Sequence, residues 1–293
     1  FKRLSTYQFL FYEKIQGINW FWLRVFPYSK NDWKRYLNIF SFCIHLFLVL
    51  IPKGFAGFLF GTSPEIIIAS SPQLPAAFCG LIISKILNKP FIIEVRDLWP
   101  QVLIDQGGKH SSSIIIKILR FMEAEVYKNA SYVIVLAKGS KKYVQYKGAK
   151  KIAWLPNGPD LRKFIQTPLP IENECFTSQY PFKILYTGAH GEANGLENVI
   201  DSAKIIKDYP IKFLLIGDGS EKKKLINYAR GLNNIIFKDP ISKDNIPDVM
   251  KNANAILLSL KDVDLFKYGI SPNKLYDAYA IGRPVITTVK GDV

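Results

Sequence analysis

Cysteine is scarce in this chain. The 293 residues include three cysteines, Cys43, Cys79 and Cys175. They are odd in number and widely spaced, and two of them lie in apolar runs, so the sequence indicates neither a disulfide framework nor a zinc site. A reducing cytoplasm is the compartment that fits this usage best.

Acidic residues are few relative to basic ones. The chain has 24 Asp and Glu against 39 Lys and Arg, a net charge of +15 and a pI near 9.5. This balance favours nucleic acid, an anionic membrane surface or phosphate-bearing ligands as partners. The lysines are spread along the whole chain and no nucleic-acid-binding motif occurs, so we expect no nucleic-acid partner.

No apolar run in the sequence is long enough by itself to span a bilayer. Residues 39–51 form an apolar stretch that stops at Pro-Lys-Gly (52–54), and a second short piece follows at 55–60. Basic and aromatic residues at 33–36 suit lipid headgroups. An in-plane membrane helix and a core helix of the first domain both fit, with a spanning helix as a third alternative.

Beyond this region, short β-type runs alternate with helical stretches. A strand is predicted at 18–25, and the chain as a whole has 48% apolar and 22% charged residues, which is ordinary for folded domains with substantial cores. Strands separated by helices form parallel sheets, so the predicted fold class is α/β. The further strands are predicted at 65–70, 90–95, 131–137, 151–156, 182–188, 211–217, 234–239, 254–260 and 284–288.

Two such units are predicted along the chain. Residues 1–158 form the first, residues 159–181 form a proline-containing linker without periodicity, and residues 182–293 form the second. Two open α/β sheets of this kind would face each other across a cleft lined by the carboxyl ends of their strands. The chain starts at Phe1 rather than Met and stops after a strand, so we expect both domains to be incomplete.

The segment EVRDLWPQ places charged side chains where the strand at 90–95 ends. Asp97 or Glu94 is a candidate to orient or deprotonate an acceptor hydroxyl, and Arg96 is a candidate to hold a phosphate or carboxylate. The structural alternative is an ion pair between Arg96 and one of the two carboxylates that fixes the loop.

The segment YTGAHGEANG forms a glycine-bearing turn from strand to helix. Gly188, Gly191 and Gly195 would allow close backbone approach and leave amides available for a phosphate. The spacing is not the GxGxxG dinucleotide fingerprint. His190 is either a phosphate contact or a surface histidine with local hydrogen bonds.

The segment YGISPNKLYDAYAIGRPVI carries the most informative pattern. Ser271 precedes a proline-initiated helix, Lys274 lies in its first turn, and Asp277 follows one turn later. A helix N-terminus with a lysine suits the diphosphate of a nucleotide sugar, and Asp277 could accept hydrogen bonds from a ribose. Asp262 and Asp264 form a DxD pattern that binds a divalent metal in other proteins, but an acidic loop is the favoured interpretation.

Seven strings, in this order along nearly the whole chain, resemble glycosyltransferase family 4: ASSP, EVRDLWP, VLAKG, LPNG, YTGAHG, IGDG and SPNKLYDAYAIGRPVI. Within it, the chain is most similar to the surface-polysaccharide group of fucosamine transferase and colanic acid transferase type. The resemblance implies a GT-B fold, a nucleotide-sugar donor held by the second domain, UDP-linked and with an N-acetylated amino sugar as one option, and retention of anomeric configuration. It also implies no metal or other cofactor, and an acceptor on polyprenyl diphosphate at the cytoplasmic face of the inner membrane, for O-antigen, capsule or exopolysaccharide.

The resemblance extends to single residues. Asp277 matches the family's ribose-binding glutamate, and Asn273 and Lys274 match residues at the donor's sugar and diphosphate. The family's other glutamate would fall at Gly269, and the loop after Gly188 lacks the usual arginine, so the donor geometry should differ. Two alternatives stay open: a non-catalytic membrane-associated scaffold, and a nucleotide-sugar epimerase with a Tyr-x-x-x-Lys pair such as the one that begins at Tyr143.

Overall fold

The computed structural model describes residues 9–28, 33–59, 63–105, 110–165 and 182–289. These residues form two compact units, Phe1–Leu155 and Pro156–Val293 by their limits in the chain. Both units are α/β with parallel sheets, as the alternation of strands and helices predicts.

The first unit contains one hairpin and one parallel sheet. Its sheet has the order β3-β4-β5-β6, so that strands adjacent in sequence are adjacent in space and all run parallel. The elements are β1 (Leu10–Ile15), β2 (Ile18–Leu23), α1 (Trp33–Leu59), β3 (Ile67–Ser70), α2 (Leu74–Ile86), β4 (Phe91–Val95), α3 (Gln101–Asp105), α4 (Ile114–Asn129), β5 (Tyr132–Val135), α5 (Ser140–Tyr146) and β6 (Ile152–Trp154).

The predicted strand at 18–25 pairs in a different way from the other strands. It forms β2, which runs antiparallel to β1 through a tight turn at Gln16 and Gly17, both with positive φ. The sequence analysis did not predict β1. The two-residue connection with positive φ at both positions matches the twist of a hairpin, and the Gln-Gly sequence is a weaker signal for it than Asn-Gly.

Helix α1 is longer than the sequence prediction. It continues through Pro52 and ends at Leu59, which joins the two apolar pieces that were treated as separate. Its portion Trp33–Gly54 is long and apolar enough to cross a membrane, and few of its residues are buried. A core helix would be mostly buried, so within the described residues the interpretation of α1 as a core helix is wrong.

The second unit has a five-stranded parallel sheet in the order β11-β10-β7-β8-β9. Strands β8 and β9 lie on one side of β7, and β10 and β11 then lie on its other side. The switch point of the sheet is therefore between β7 and β10. The elements are α6 (Leu161–Ile165), β7 (Phe182–Thr187), α7 (Leu196–Ile205), β8 (Ile211–Ile216), α8 (Lys222–Tyr228), β9 (Ile235–Lys238), α9 (Ile246–Lys251), β10 (Ala255–Leu258), α10 (Asn273–Ala280) and β11 (Val285–Thr287).

The central strands β7, β8 and β10 of the second unit are largely buried on both faces. Alternate residues of β7 and β8 point to opposite sides, so that Tyr186 and Leu215 pack in the core that contains α7 and α8. Leu185 and Leu214 pack in the core that contains residues of α9 and α10. Continuous apolar strands are the expected result of helices on both faces of a parallel sheet.

The boundary between the units lies three residues before the predicted one. The segment after Leu155 belongs to the second unit, because Asn157 bonds to Ser271: its backbone N–H donates to the hydroxyl at 3.3 Å and its side-chain amide to the carbonyl at 2.7 Å. The predicted linker begins with the short helix α6, in which Phe164 is buried. The rest of that predicted linker, residues 166–181, lies outside the described residues.

Candidate functional site

The loops that follow β7 and β8 are packed backbone against backbone. Gly188 donates its N–H to the Ile216 carbonyl at 2.9 Å, and His190 donates to the Asp218 carbonyl at 2.8 Å. Gly217 has φ of +154°, and a Cβ there would lie 1.8 Å from the Gly188 oxygen. A Cβ on Gly219 would be 2.5 Å from the His190 oxygen. Glycine at both positions is therefore required by the contact itself.

His190 is a buried residue at the centre of this contact. Its side chain has 0% relative exposure, and its ring lies 5.9 Å from that of Phe237 in an edge arrangement. Neither ring nitrogen has a hydrogen-bond partner among the described residues. Burial lowers the pKa of His190, assisted by Lys222 and Lys274 and opposed by Asp218. The interpretation as a surface histidine is wrong, and a contact of His190 with the donor phosphate stays a prediction.

The loop after β7 is also bonded to the segment that follows β10. Ser259 donates its hydroxyl to the Asn194 carbonyl at 2.7 Å, and the Lys261 amide donates to Ala193 at 2.9 Å. Gly195 has φ of +55°, and a Cβ there would lie 3.2 Å from the Lys261 nitrogen. Gly191, by contrast, is extended and has room for a Cβ. The close approach predicted for this loop thus holds for Gly188 and Gly195 but not for Gly191. The predicted availability of the loop amides to a phosphate is wrong for Gly188 and Gly195, because their N–H groups donate to the Ile216 and Glu192 carbonyls.

Helix α10 begins beside these loops, at Asn273. Pro272 precedes its first turn, and no side chain among the described residues caps it, which leaves first-turn amides available to an anion. Ser271 is already engaged: its hydroxyl lies 2.9 Å from that of Tyr276 and accepts the Asn157 amide. Asn273 is exposed at the start of the helix. The donor-binding roles of Ser271 and Asn273 stay predictions.

Lys274 reaches from α10 to the end of β7. Its Nζ lies 3.6 Å from the centroid of the Tyr186 ring and 3.3 Å from the position that a Cβ on Gly188 would take. The residue as a whole is half-buried, but its ammonium group is enclosed, and this burial lowers the pKa of Lys274 to about 7. Within the described part of the chain, no carboxylate forms an ion pair with it.

Asp277 lies one turn after Lys274 on the same helix. It is half-buried, and desolvation raises the pKa of its carboxyl group above the ordinary value. A carboxylate in this setting gains from hydroxyl groups that donate hydrogen bonds to it, because such bonds favour its charged form. The setting is compatible with the predicted contact to a ribose, which stays a prediction.

These elements together have the chemistry that an anion would require. An enclosed cation without an acid partner, a helix start and a glycine loop without a side chain meet at the carboxyl end of β7, where the strand order reverses. An anion placed there would pair with the Lys274 ammonium group and offset the cost of burying its charge. The arrangement suits a phosphate or diphosphate group.

In the first unit, Glu94 near the end of β4 and Arg96 and Asp97 just after it are not paired with one another. Arg96 forms no ion pair with Glu94 or Asp97 within the described residues, so the structural alternative of an ion pair is wrong. Glu94 accepts a hydrogen bond from the Ser70 hydroxyl of the neighbouring strand. Asp97 is exposed as a residue, yet partial desolvation of its carboxyl group raises its pKa, opposed by Arg96. Their catalytic roles stay predictions, and Asp97 is the better candidate because Glu94 is already bonded.

Three residues at the anion site escaped the sequence analysis. Tyr186 lies beneath the Lys274 ammonium group, donates its hydroxyl to the Ala189 carbonyl at 2.7 Å, and has its pKa raised by burial. Gly217 and Gly219 hold the loop after β7. The string IGDG was a usable signal for the glycines, since it follows a strand in the same way as YTGAHG. Tyr186 gave no signal, because an aromatic residue in an apolar strand is ordinary.

Two patterns that suggested other chemistry have structural explanations. Asp264 pairs with Lys267 on one short helical turn, and no group of metal-binding side chains occurs among the described residues. Tyr143 donates its hydroxyl at 2.7 Å to the fully buried Glu123, which also lies 3.7 Å from the Lys147 ammonium group. Burial and Glu123 raise the pKa of Tyr143, the opposite of what a tyrosine base in an epimerase requires.

Comparison with known proteins agrees with this geometry. Residues 181–293 match the family described as glycosyl transferases group 1. The chain is 25% identical over 275 residues to the putative colanic acid biosynthesis glycosyl transferase WcaI of Escherichia coli (strain K12), covering 90% of this chain and 65% of the relative. It is 22% identical over 242 residues to the probable glycosyltransferase WbjE of Pseudomonas aeruginosa, covering 79% and 57%.

Solved structures share the fold. The sucrose-phosphate synthase of Thermosynechococcus elongatus has a TM-score of 0.66 at 15% identity, covering 97% of this chain and 68% of that one. HepE of Anabaena in complex with UDP has a TM-score of 0.59 at 16% identity, covering 83% and 64%. The chain thus has the α/β fold of the GT-B class.

The family match over residues 181–293 and the two curated relatives, both named as glycosyltransferases, agree with the resemblance to family 4 that the sequence motifs carry. The chain spans 65% and 57% of the lengths of the two curated relatives.

Proposed function

We propose that the protein transfers a sugar from a UDP-linked donor to an acceptor carried on polyprenyl diphosphate, with retention of anomeric configuration, in the synthesis of a bacterial surface polysaccharide. An N-acetylated amino sugar is the donor sugar that the sequence resemblance favours. The relative WcaI is named for colanic acid biosynthesis, and HepE was solved with UDP, which supports the substrate class.

The observation that carries this proposal is the enclosed Lys274. Its ammonium group faces the glycine loop after β7 and lacks an acid partner within the described residues. In glycosyl transfer from a nucleotide sugar, negative charge develops on the leaving diphosphate as the anomeric carbon becomes oxocarbenium-like. A lysine that the bound diphosphate keeps protonated, together with helix amides at that position, stabilises the transition state more than the ground state.

Asp97 is the group in the first unit that we propose to act on the acceptor. Its carboxyl lies in the loop at the end of β4 and has a raised pKa. A carboxylate of this kind can orient the acceptor hydroxyl and take up its proton as the new glycosidic bond forms. Arg96, exposed in the same loop, is suited to bind the phosphate of the acceptor.

Helix α1 gives the proposal its membrane location. Its exposed apolar side chains and its basic and aromatic first turns fit a protein at the cytoplasmic face of the inner membrane, attached to anionic lipids. The net charge of +15 supports the same surface. No metal or other cofactor is part of the proposed reaction.

Binding of UDP to the full chain tests the donor site directly. By calorimetry, we expect wild type and Lys223→Ala to bind UDP alike, since Lys223 is an exposed lysine of α8, and Lys274→Ala to bind at least about tenfold more weakly. Equal binding by the Lys274 variant would contradict the proposed role of this residue.

Transfer itself is tested with the full chain, cell membranes and a panel of labelled UDP-sugars. We expect a lipid-linked product that forms in the presence of EDTA and whose new linkage has the donor's anomeric configuration by NMR. Normal UDP binding without transfer from any donor would favour the non-catalytic scaffold instead, while an inverted linkage would contradict retention alone.

A further inference from the structure

The first unit contains a large apolar groove that the proposed donor site does not use. It lies between helices α1, α2, α3 and α4 and has a volume of about 900 Å³. This is at the upper end of the size of small-molecule sites. Among the described residues that line it, all but Arg35 are aromatic, aliphatic, proline, methionine or cysteine. Such a lining offers hardly any hydrogen bonds, so its ligand must be largely hydrocarbon.

The mouth of the groove is apolar as well. Phe40 of α1 is 63% exposed, and Ile118 and Phe121 of α4 are 49% and 61% exposed. Pockets for polar metabolites have polar groups placed at the rim to orient the ligand. Here the apolar surface continues outwards from the groove on both walls. A contiguous exposed apolar face of this kind marks a site of contact with lipid or protein.

The lining of the groove includes two segments of different chemistry. One is Trp33, Arg35 and Tyr36 in the first turns of α1, residue types that lie at the boundary between lipid headgroups and acyl chains. The other contains Trp99 of the loop after β4, two residues beyond Asp97. The groove is therefore lined both by a membrane-type segment and by the loop that carries the proposed acceptor-side carboxylate.

We propose that this groove binds the hydrocarbon chain of a membrane lipid with an anionic head. This lipid is the acceptor of the sugar transfer, and that second statement rests on the proposed function. A lipid fits better than a protein segment because the groove has so few polar groups to satisfy a peptide backbone. It also fits better than a second copy of the chain, because the basic and aromatic residues beside it match a lipid headgroup region.

The test uses cis-parinaric acid, a fluorescent fatty acid, as the probe. Its emission rises in an apolar environment, and Trp33 and Trp99 in the lining can transfer energy to it. We expect saturable one-to-one binding to the full chain. The double substitution Phe40→Asn and Ile118→Asn places amides on opposite walls at exposed positions, so the fold should persist and the affinity should fall by at least about tenfold.

The matched control is Ile205→Asn with Ile226→Asn, two exposed isoleucines of the second unit. We expect this control to bind the probe like wild type. Lack of saturable binding by wild type, or equal loss in both double variants, would overturn the inference. So would a wild-type dimer, detected by sedimentation, that Phe40→Asn and Ile118→Asn dissociates, because the occupant would then be a second copy.

Thiol protection gives a second measurement that needs no substitution in the groove. Cys43 lines the groove and is partly exposed, and Cys175→Ser removes the thiol outside the described residues. We expect cis-parinaric acid to slow alkylation of Cys43 by N-ethylmaleimide at least about tenfold at saturation, since only unbound protein reacts. Unchanged alkylation would overturn the inference. UDP binding by the same samples is independent of these readouts and judges the proposed donor site separately.

Discussion

The two units share an architecture but differ in strand order, and this difference separates two kinds of surface. In the second unit the order reverses between β7 and β10, which is the kind of position where ligands bind in open α/β sheets. In the described part of the first unit the order β3-β4-β5-β6 runs in one direction. There the apolar groove lies within the helix layer instead.

The residues at the two places differ accordingly. At the switch point, Gly188 and Gly217 bring two backbones into contact. Gly188 also has no side chain to fill the space beside the Lys274 ammonium group. In the groove, α1 and α4 present aromatic and aliphatic side chains to one another across an open space. One α/β architecture thus provides a charged site through its loops and an apolar site through its helices.

The largest effect that we expect concerns the backbone contact in the second unit. Gly217→Ala should abolish measurable UDP binding and destabilise this unit by roughly 2–4 kcal/mol, because its Cβ would lie 1.8 Å from the Gly188 oxygen. Gly231→Ala is the matched control, with φ of +87° and nothing within 4 Å of its Cβ. Gly231→Ala should lower the free energy of unfolding by about 1 kcal/mol and leave UDP binding intact. Urea unfolding measures the stability of each variant, and calorimetry measures its UDP binding. Similar losses in the two variants would show that the positive φ, rather than the backbone contact, causes the effect.

The next effect concerns the loop of the first unit. Asp97→Asn should reduce sugar transfer by about 10²-fold or more with UDP binding unchanged, because general acid-base groups contribute on the order of 10²–10⁴. Glu94→Gln is the comparison, and we expect a smaller loss since Glu94 is already bonded to Ser70. Equal and large losses in both variants would mean that the loop conformation, rather than the free carboxylate, is what transfer requires.

A smaller effect follows from the lowered pKa of Lys274. Its pKa of about 7 in the folded state lies below the ordinary 10.5, so between these values the unfolded chain binds more protons and stability rises with pH. Lys274→Met should flatten this rise and stabilise the protein below pH 7 by at most a few kcal/mol, at about 1.4 kcal/mol per pKa unit. Bound UDP should raise the pKa, so near pH 8 binding should take up close to one proton.

Urea unfolding from pH 6 to pH 10 measures the stability profile. Calorimetry of UDP binding in buffers of different ionisation enthalpy measures the proton uptake. Uptake that is the same in wild type and in Lys274→Met would contradict the assignment of the titrating group to this lysine and would weaken the contrast between a charged second unit and an apolar first one.

The smallest effect concerns two faces of α1. Phe40, Ile44 and Leu48 lie on its exposed face, and their replacement by Ser should move protein from membrane to soluble fractions with little change in stability. Replacement of Phe42, Leu46 and Val49 by Ser should instead destabilise the first unit, because Val49 is buried. Cell fractionation and thermal unfolding compare the two sets. Equal fractionation of both would remove α1 as the reason for membrane attachment.

Much of the fold was open to prediction from local pattern. The strands that became β3 to β11 are apolar runs separated by helical stretches, and this alternation requires a parallel sheet whatever the side-chain details. The errors fall where local and tertiary preferences conflict. Pro52 predicts the end of a helix, but α1 continues through it to Leu59. A proline removes one helical hydrogen bond, and the packing of a long apolar helix can outweigh that loss.

Some residues of the candidate site could be singled out for the same reason. Gly188 at a strand end and Lys274 at a helix start carry a local signature, and their donor-binding roles stay predictions. The burial of His190 was missed, since it depends on Gly217 and Gly219, which lie on another strand connection and approach only in the folded sheet. Asp97 and Arg96 were placed correctly in one loop, but that they form no ion pair could not be read from their adjacency.

The sequence by itself determined the alternation of strands and helices, the family, and the positions of the glycine and lysine motifs, because each of these is written in residues that are neighbours along the chain. The tertiary structure alone decided that Lys274 lies against Tyr186 in an enclosed place, and that α1 and α4 bound an apolar groove. Enclosure and cavities arise from side chains far apart in sequence, and their energies depend on distance and solvent exclusion rather than on residue type.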